Sequence, residues 1–254
     1  MTRRRLPLVS PFGPPAVVDA VQRTTVEALA ASRTAEAAIA LAVDATSWAE
    51  EATRAVKERI PPSREQACAA GCAYCCHVKV LVTAPEALAV AALLRDKLSP
   101  AALERVRARV VTTNRKTRGM STELRARAKI PCPLLEDSRC LAYEARPVAC
   151  WGANSFDAAA CAQGFEHPEQ DVGIPIYKPQ GQIADAVRSG LANGLGESGL
   201  DAQLLELDAA LAIALGQPAA GREWARGRPT FAPAHDREFA ALLGAQDEEK
   251  ARRR

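Results

Sequence analysis

The run Cys68-Ala69-Ala70-Gly71-Cys72-Ala73-Tyr74-Cys75-Cys76-His77 decides how this chain is read. It holds four of the 8 cysteines. The other four, Cys132, Cys140, Cys150 and Cys161, follow in one later stretch, and none lies outside the two groups. Thiols used as small core residues scatter along a chain. Clustered thiols are built to meet, and thiolates that meet hold a metal. Four plus four is the number for two closed tetrahedral thiolate sites, or for one four-ligand iron–sulfur cluster beside a second metal. All eight cysteines are therefore candidate metal ligands. His77, next to Cys76, is a nitrogen placed to replace a thiolate, and His167 is a second. An even cysteine count also suits a disulfide framework, but such frameworks belong to short secreted chains and this one has 254 residues.

Working outward, composition sets the fold class. Alanine dominates, arginine outnumbers lysine, and aromatics make up only 4% of residues, a bias toward helix. The net charge of +3 is too small to argue for nucleic acid, and no apolar run approaches the roughly 20 residues of a membrane span. Met1-Thr2-Arg3-Arg4-Arg5 resembles the charged start of an export signal, but the apolar run behind it is short and broken by prolines. The expectation is a cytoplasmic protein, where thiols favour metal over cross-link.

Residues 1–13 read as a disordered basic, Pro-rich segment. Pro14-Pro15 opens a helical arm, 14–62, free of Gly and Pro as far as Ile60. It is one long helix or two stacked ones, either packed along the domain as core or presented to a protein partner or a second copy. Pro61-Pro62 ends it. Ser63 and Gln66 suggest a helix from Arg64 that places Cys68, Cys72 and Cys75 on one face unless Gly71 breaks it. Val78 to Val82 alternates like a short strand. Thr83 with Glu86 forms a capping box for a helix to about Leu98, and Ser99-Pro100 caps the next, to about Arg118. That helix carries a basic face (Arg105, Arg107, Arg109, Arg115, Lys116, Arg118), read as solvated rather than as a dock for an acidic partner. Ser121 starts a short helix.

Glu136-Asp137-Ser138-Arg139 is a turn that brings Cys132 and Cys140 together like two arms of a knuckle. Pro147 opens a short helix with Cys150 one turn in, where the helix N-terminus favours thiolate. Lys79, Arg139 and Arg146 are cations able to offset sulfur charge, and the planar fork of Arg146 suits bridging sulfur and backbone. Gly164 to Pro179 reads as loop. Helices are expected at Gln180–Leu191 and Asp201–Leu215, with Trp224, Phe231 and Phe239 packing back on the core. The fold class is mainly α: an irregular helical domain with a short β-hairpin and loop region around a cysteine-ligated metal centre, plus the long N-terminal helix. The expected divisions are the cysteine-cluster domain at 63–165, a C-terminal helical extension at 166–246 and a charged tail at 247–254.

Two resemblances follow from these residues. Cys68-x3-Cys72-x-Tyr74-Cys75 matches the three-cysteine signature of radical S-adenosylmethionine enzymes, but those enzymes place it in a parallel β/α barrel, and the helical pattern downstream argues against one. The full set fits another family. Cys68-x3-Cys72-x2-Cys75-Cys76, then Cys132-Pro133, then Cys140-x2-Tyr143-x2-Arg146-Pro147-x2-Cys150 resembles the YkgJ-type cysteine-cluster family over about residues 65–165. That family is also called the CxxCxxCC, zinc- or iron-chelating domain. The resemblance implies iron or zinc held by the cysteines, with Tyr143 and Arg146 beside them. It establishes no reaction. Some relatives are associated with S-adenosylmethionine-dependent lysine methylation, so an iron–sulfur protein-modifying enzyme stands as one alternative and a zinc-stabilised interaction scaffold as another. Whether the chain is an enzyme stays open. Cys-only ligation suits zinc and iron–sulfur alike. The adjacent pair Cys75-Cys76 differs from paired zinc knuckles and tilts the expectation to iron–sulfur.

Overall fold

The computed structural model describes Arg4, Leu6 and residues 13–238. The expectations for most of residues 1–13, for Phe239 and for the charged tail lie outside the described residues.

The fold is mainly α, 62% helical, with ten α-helices and two small two-stranded sheets among the described residues. The N-terminal stretch forms two helices, α1 (Pro14–Ala31) and α2 (Ala35–Lys57). Thr34 separates them as an N-cap, its hydroxyl accepting from the Ala37 N–H at 3.2 Å. Both bury their apolar stripes, including Val17, Val21, Leu41 and Trp48, in the common core. A short strand β1 (Leu81–Val82) leads into α3 (Ala84–Lys97) through the Thr83/Glu86 capping box. Next come α4 (Pro100–Thr117), capped by Ser99, and α5 (Thr122–Ala128), capped by Ser121. A hairpin follows, β2 (Leu135–Glu136) and β3 (Arg139–Cys140). Then come α6 (Val148–Gly152), α7 (Ala158–Glu166) and α8 (Lys178–Glu197). Strand β4 (Leu205–Glu206), α9 (Leu207–Gly216) and α10 (Ala220–Ala225) complete the set. Trp224 and Phe231 are fully buried, as their size and place in the chain lead one to expect.

Three local expectations are corrected. No helix forms at Arg64. Residues between α2 and Tyr74 are irregular, and only Tyr74–His77 winds into a 3-10 turn. Pro61-Pro62 withholds N–H donors, Gly71 sits at φ +92°, and the Ala67 N–H is taken by the Ser155 carbonyl at 2.8 Å instead of a helical partner. The loop expected from Gly164 begins later: Gly164, Phe165 and Glu166 end a helix, α7, that carries Cys161 and is capped by Asp157, which accepts from Ala159 N and Ala160 N at 2.9 and 3.0 Å. The helix expected from Asp201 starts only at Leu207, because Leu205 and Glu206 pair antiparallel with Val82 and Leu81.

Helix α8 contains Gly190 and runs past its expected end at Leu191 through Gly194 and Gly196. These glycines are a contact surface. A Cβ on Gly190 would stand 2.5 Å from the Val18 carbonyl oxygen of α1, and one on Gly194 2.8 Å from that of Gln22. Bare backbone lets α1 and α8 meet at close range, which outweighs the lower helix propensity of glycine. Gly181, in the first turns of the same helix, has nothing within 4 Å of the same position. Opposite outcomes are expected for one chemical change. Gly190→Ala destabilises the fold by about 1–3 kcal/mol through overpacking, whereas Gly181→Ala stabilises it by about 0.5–1 kcal/mol through propensity. Urea denaturation of the two variants checks the sign of each.

Candidate metal centre

Four local devices carry the cysteines, and each follows from its sequence. The loop with Cys68 is tied to the segment after α6: Ser155 N–H donates to Cys68 Sγ at 3.3 Å. The 3-10 turn presents Cys75 and Cys76, and its carbonyl at Cys76 accepts the Cys132 N–H at 2.7 Å, so the early and late groups are joined through backbone. The hairpin brings Cys132 toward Cys140. Its two loop residues, Asp137 and Ser138, have φ of 48° and 58°, the left-handed pair of a type I′ turn. Cys140 is then opposite Leu135 in the β2–β3 register.

Cys150 is three residues into α6, whose N-terminus is held by a buried carboxylate from another helix. Glu86 Oε1 accepts the Val148 N–H at 2.9 Å, while Oε2 accepts Thr83 N and Thr83 Oγ1 at 2.7 and 2.9 Å. Glu86 is 3% exposed, so one side chain closes the cap of α3 and seats α6. Cys161 arrives on α7, which docks through Phe165 against Tyr74 and His77, at ring centroid distances of 5.8 and 4.7 Å.

All eight cysteines are free thiols. Their mutual effects sort them into two neighbourhoods that cut across sequence order. Burial raises the Cys68 thiol, the Ser155 N–H lowers it, and Cys72, Cys75 and Cys161 raise it further by repulsion. Burial, first of all, pushes Cys150 well above the ordinary thiol range, and Cys132, Cys140, Cys75 and Glu86 add to it. Burial likewise pushes Cys132 up to about 12, with Asp208 next, the Leu134 N–H and Arg125 acting the other way. Cys140 is raised by burial and relieved by the Ala142 N–H and by Arg146. Cys75 and Cys76 share a proton: Cys76 donates to Cys75, which falls to about 6, while Cys76 is held far above its usual value by that bond and by burial, with Cys75, Cys132 and Cys150 nearby. Cys76, Cys132, Cys140 and Cys150, all half-buried, thus form one group. Cys68, Cys72 and Cys161 form a second, and Cys75 stands between the two.

The donor chemistry fits a metal–thiolate centre. Backbone N–H groups aim at Cys68, Cys75, Cys132 and Cys140, and at Cys132 and Cys140 the donor is the residue two further on. Such donors favour the ionised sulfur, which is the form that ligates. Among the described residues, no group of three or more His, Cys, Asp or Glu side chains stands close enough together to hold a metal ion.

The remaining expected residues fall as follows. Arg146 lies 4.4 Å from the centroid of the exposed Tyr143 ring and its charge reaches Cys75 and Cys140. His77 directs Nδ1 at the Ala73 carbonyl, 3.1 Å away, and His167 is exposed beside Glu169. Lys79 does not serve the sulfurs: it is buried in ion pairs with Asp236 and Glu238. Two groups escaped the sequence reading. Glu86 was recognised as a cap, but nothing local reveals its bond to Val148. Arg125, on a short polar helix, carries no sequence signal of its burial.

Residues 67–162 match the CxxCxxCC family, described as "Putative zinc- or iron-chelating domain". This segment spans all eight cysteines and is less than half of the chain. No curated protein and no solved structure matches the chain.

The Glu86 bridge predicts a coupled defect. In Glu86→Gln the amide sets N–H against N–H at one of its three bonds, so the fold loses about 1–3 kcal/mol. Bound metal should become easier to strip with a chelator, because α6 and Cys150 lose their anchor. Denaturation and chelator-release rates on the same preparation check both halves.

Proposed function

We propose that this protein chelates zinc or iron in two four-thiolate centres, one held by Cys76, Cys132, Cys140 and Cys150 and the other by Cys68, Cys72, Cys75 and Cys161. What supports this reading is that the Cys132 N–H is bonded to the Cys76 carbonyl and the Ser155 N–H to Cys68 Sγ, joining early and late segments, and that repulsion between thiols couples Cys76 to Cys132 and Cys150, and Cys68 to Cys161. Each quartet draws on segments far apart in the chain, so metal binding and the packing of this region are linked. The protein's own part is to bring the sulfurs together and half-bury them; burial raises most of the thiols, so their ionisation is coupled to metal binding. Arg146 offsets charge at Cys75 and Cys140, over Tyr143. A bound metal would supply the positive charge that closes each quartet, and, if it is iron, the capacity to hold an electron. Cys75 and Cys76 are bonded neighbours that go to different centres, unlike the paired knuckles of zinc modules, and on that ground iron–sulfur is favoured over zinc.

Metal content, acid-labile sulfide and the visible spectrum of protein purified without oxygen test the identity. Brown protein with labile sulfide is expected, and colourless protein with stoichiometric zinc would move the assignment to zinc. The partition has its own test. Cys150→Ala and Cys161→Ala should each retain about half of the wild-type metal, from opposite centres. A Cys150→Ala/Cys161→Ala double variant should retain almost none. If the double variant binds as much metal as either single one, the two-centre partition is wrong.

A further inference from the structure

Beside Cys132 is a second concentration of buried charge. Helix α5 inverts the usual order of burial: Leu124 is 56% exposed, while its neighbour Arg125 is 3% exposed. The Arg125 guanidinium is anchored at one corner, Nη2 to Asp208 Oδ2 at 3.3 Å, and the same oxygen accepts from Thr117 Oγ1 at 3.0 Å. Its other two corners, Nε and Nη1, are buried and meet no hydrogen-bond partner among the described residues. A buried cation with unused donors is costly, so it needs an acceptor.

Arg125 lines a cavity of about 20 Å³, together with Cys132, Lys79, Thr117, Glu206 and Asp208. That volume has room for about one water molecule and no larger ligand. The other polar groups on its wall are engaged. Glu206 takes Arg118 and the Gly119 N–H, Lys79 takes Asp236 and Glu238, and Asp208 takes Arg125 and Thr117. The Cys132 sulfur is a further acceptor on the same wall.

Resting on the metal reading above, we propose that Arg125 is the positioning residue of the thiolate centre that includes Cys132: anchored by Asp208, its unused Nε–H and Nη1–H orient the Cys132 sulfur through one water held in the shared cavity. Outer partners of this kind hold a ligand in its ionised form and orientation, and their loss weakens metal binding even though they never touch the metal.

The test uses the full chain, stripped of metal and titrated with zinc against a chromophoric chelator. Alkylation of each cysteine in the zinc-loaded protein is followed by mass spectrometry. Arg125→Met/Asp208→Asn removes both buried charges together, so neither is left unpaired. With helical circular dichroism unchanged, it should bind zinc about 10–100-fold more weakly at one of the two centres. Cys132 should alkylate faster and Cys161 at the wild-type rate. Arg125→Lys keeps the charge but not the fork, so it should show a smaller loss of the same pattern, and it decides the matter if the double variant does not fold. Wild-type zinc affinity and Cys132 labelling in a folded variant overturn the role of Arg125 alone. A wild-type chain that takes up no zinc or iron overturns the metal reading and this inference with it.

Discussion

Eight sulfur atoms that repel one another when ionised must be gathered by something other than themselves. Here the gathering is done by backbone and by a helical frame. The segments that carry cysteines are short: a loop, a 3-10 turn, a tight hairpin and the first turns of α6 and α7. None buries enough apolar surface to stand alone. Each is pinned by a specific bond to another, Cys132 N–H to the Cys76 carbonyl, Ser155 N–H to Cys68, Glu86 to the N-terminus of α6. The frame behind them supplies the stability. Trp48, Leu94, Leu134, Leu211 and Trp224 are buried in one continuous core drawn from both ends of the described chain.

How much of this was legible in the sequence depends on the range of the interaction responsible. Local rules succeeded. The capping box at Thr83 and Glu86, the Ser99-Pro100 and Ser121 starts, and the turn at Asp137-Ser138 are decided within four or five residues, and the structure has them. Long-range contacts overrode local rules elsewhere. Ser63 and Gln66 resemble a helix start, but Ser155 takes the Ala67 N–H and Gln66 donates to Gln180 at 2.8 Å, holding this segment extended against the core. Gly190 and Gly194 resemble helix breakers until the partner helix α1 is known. Leu204 and Leu205 continue an apolar helical stripe, yet β1, more than a hundred residues earlier, draws Leu205 into a strand.

The cysteines divide in the same way. Their number, clustering and chemistry are visible without coordinates, and the CxxCxxCC match covers the same span. Their grouping is not visible, because spacing along the chain says nothing of which loop folds over which. Early and late quartets suggest themselves from order, whereas electrostatic neighbourhood puts Cys76 with the late group and Cys161 with the early one.

A metal centre at the edge of a helical core meets two opposing demands. Burial protects thiolates from water and oxidants, but it also disfavours their charge, as the raised Cys132 and Cys150 thiols record. The chain answers with groups of graded range. Backbone N–H groups act at single sulfurs. Arg146, half-buried over Tyr143, acts at the rim on Cys75 and Cys140. Arg125, 3% exposed, lines the same small cavity as Cys132, where solvent screens little. Its partner Asp208 raises the Cys132 thiol while Arg125 lowers it, so the pair is not simply a source of positive charge. Arg125 has to be buried, paired and directed, because an arginine free to swing would satisfy itself in water and leave the sulfur unmatched. Asp208 therefore serves the centre by fixing the direction of the guanidinium, even though its own charge opposes the thiolate.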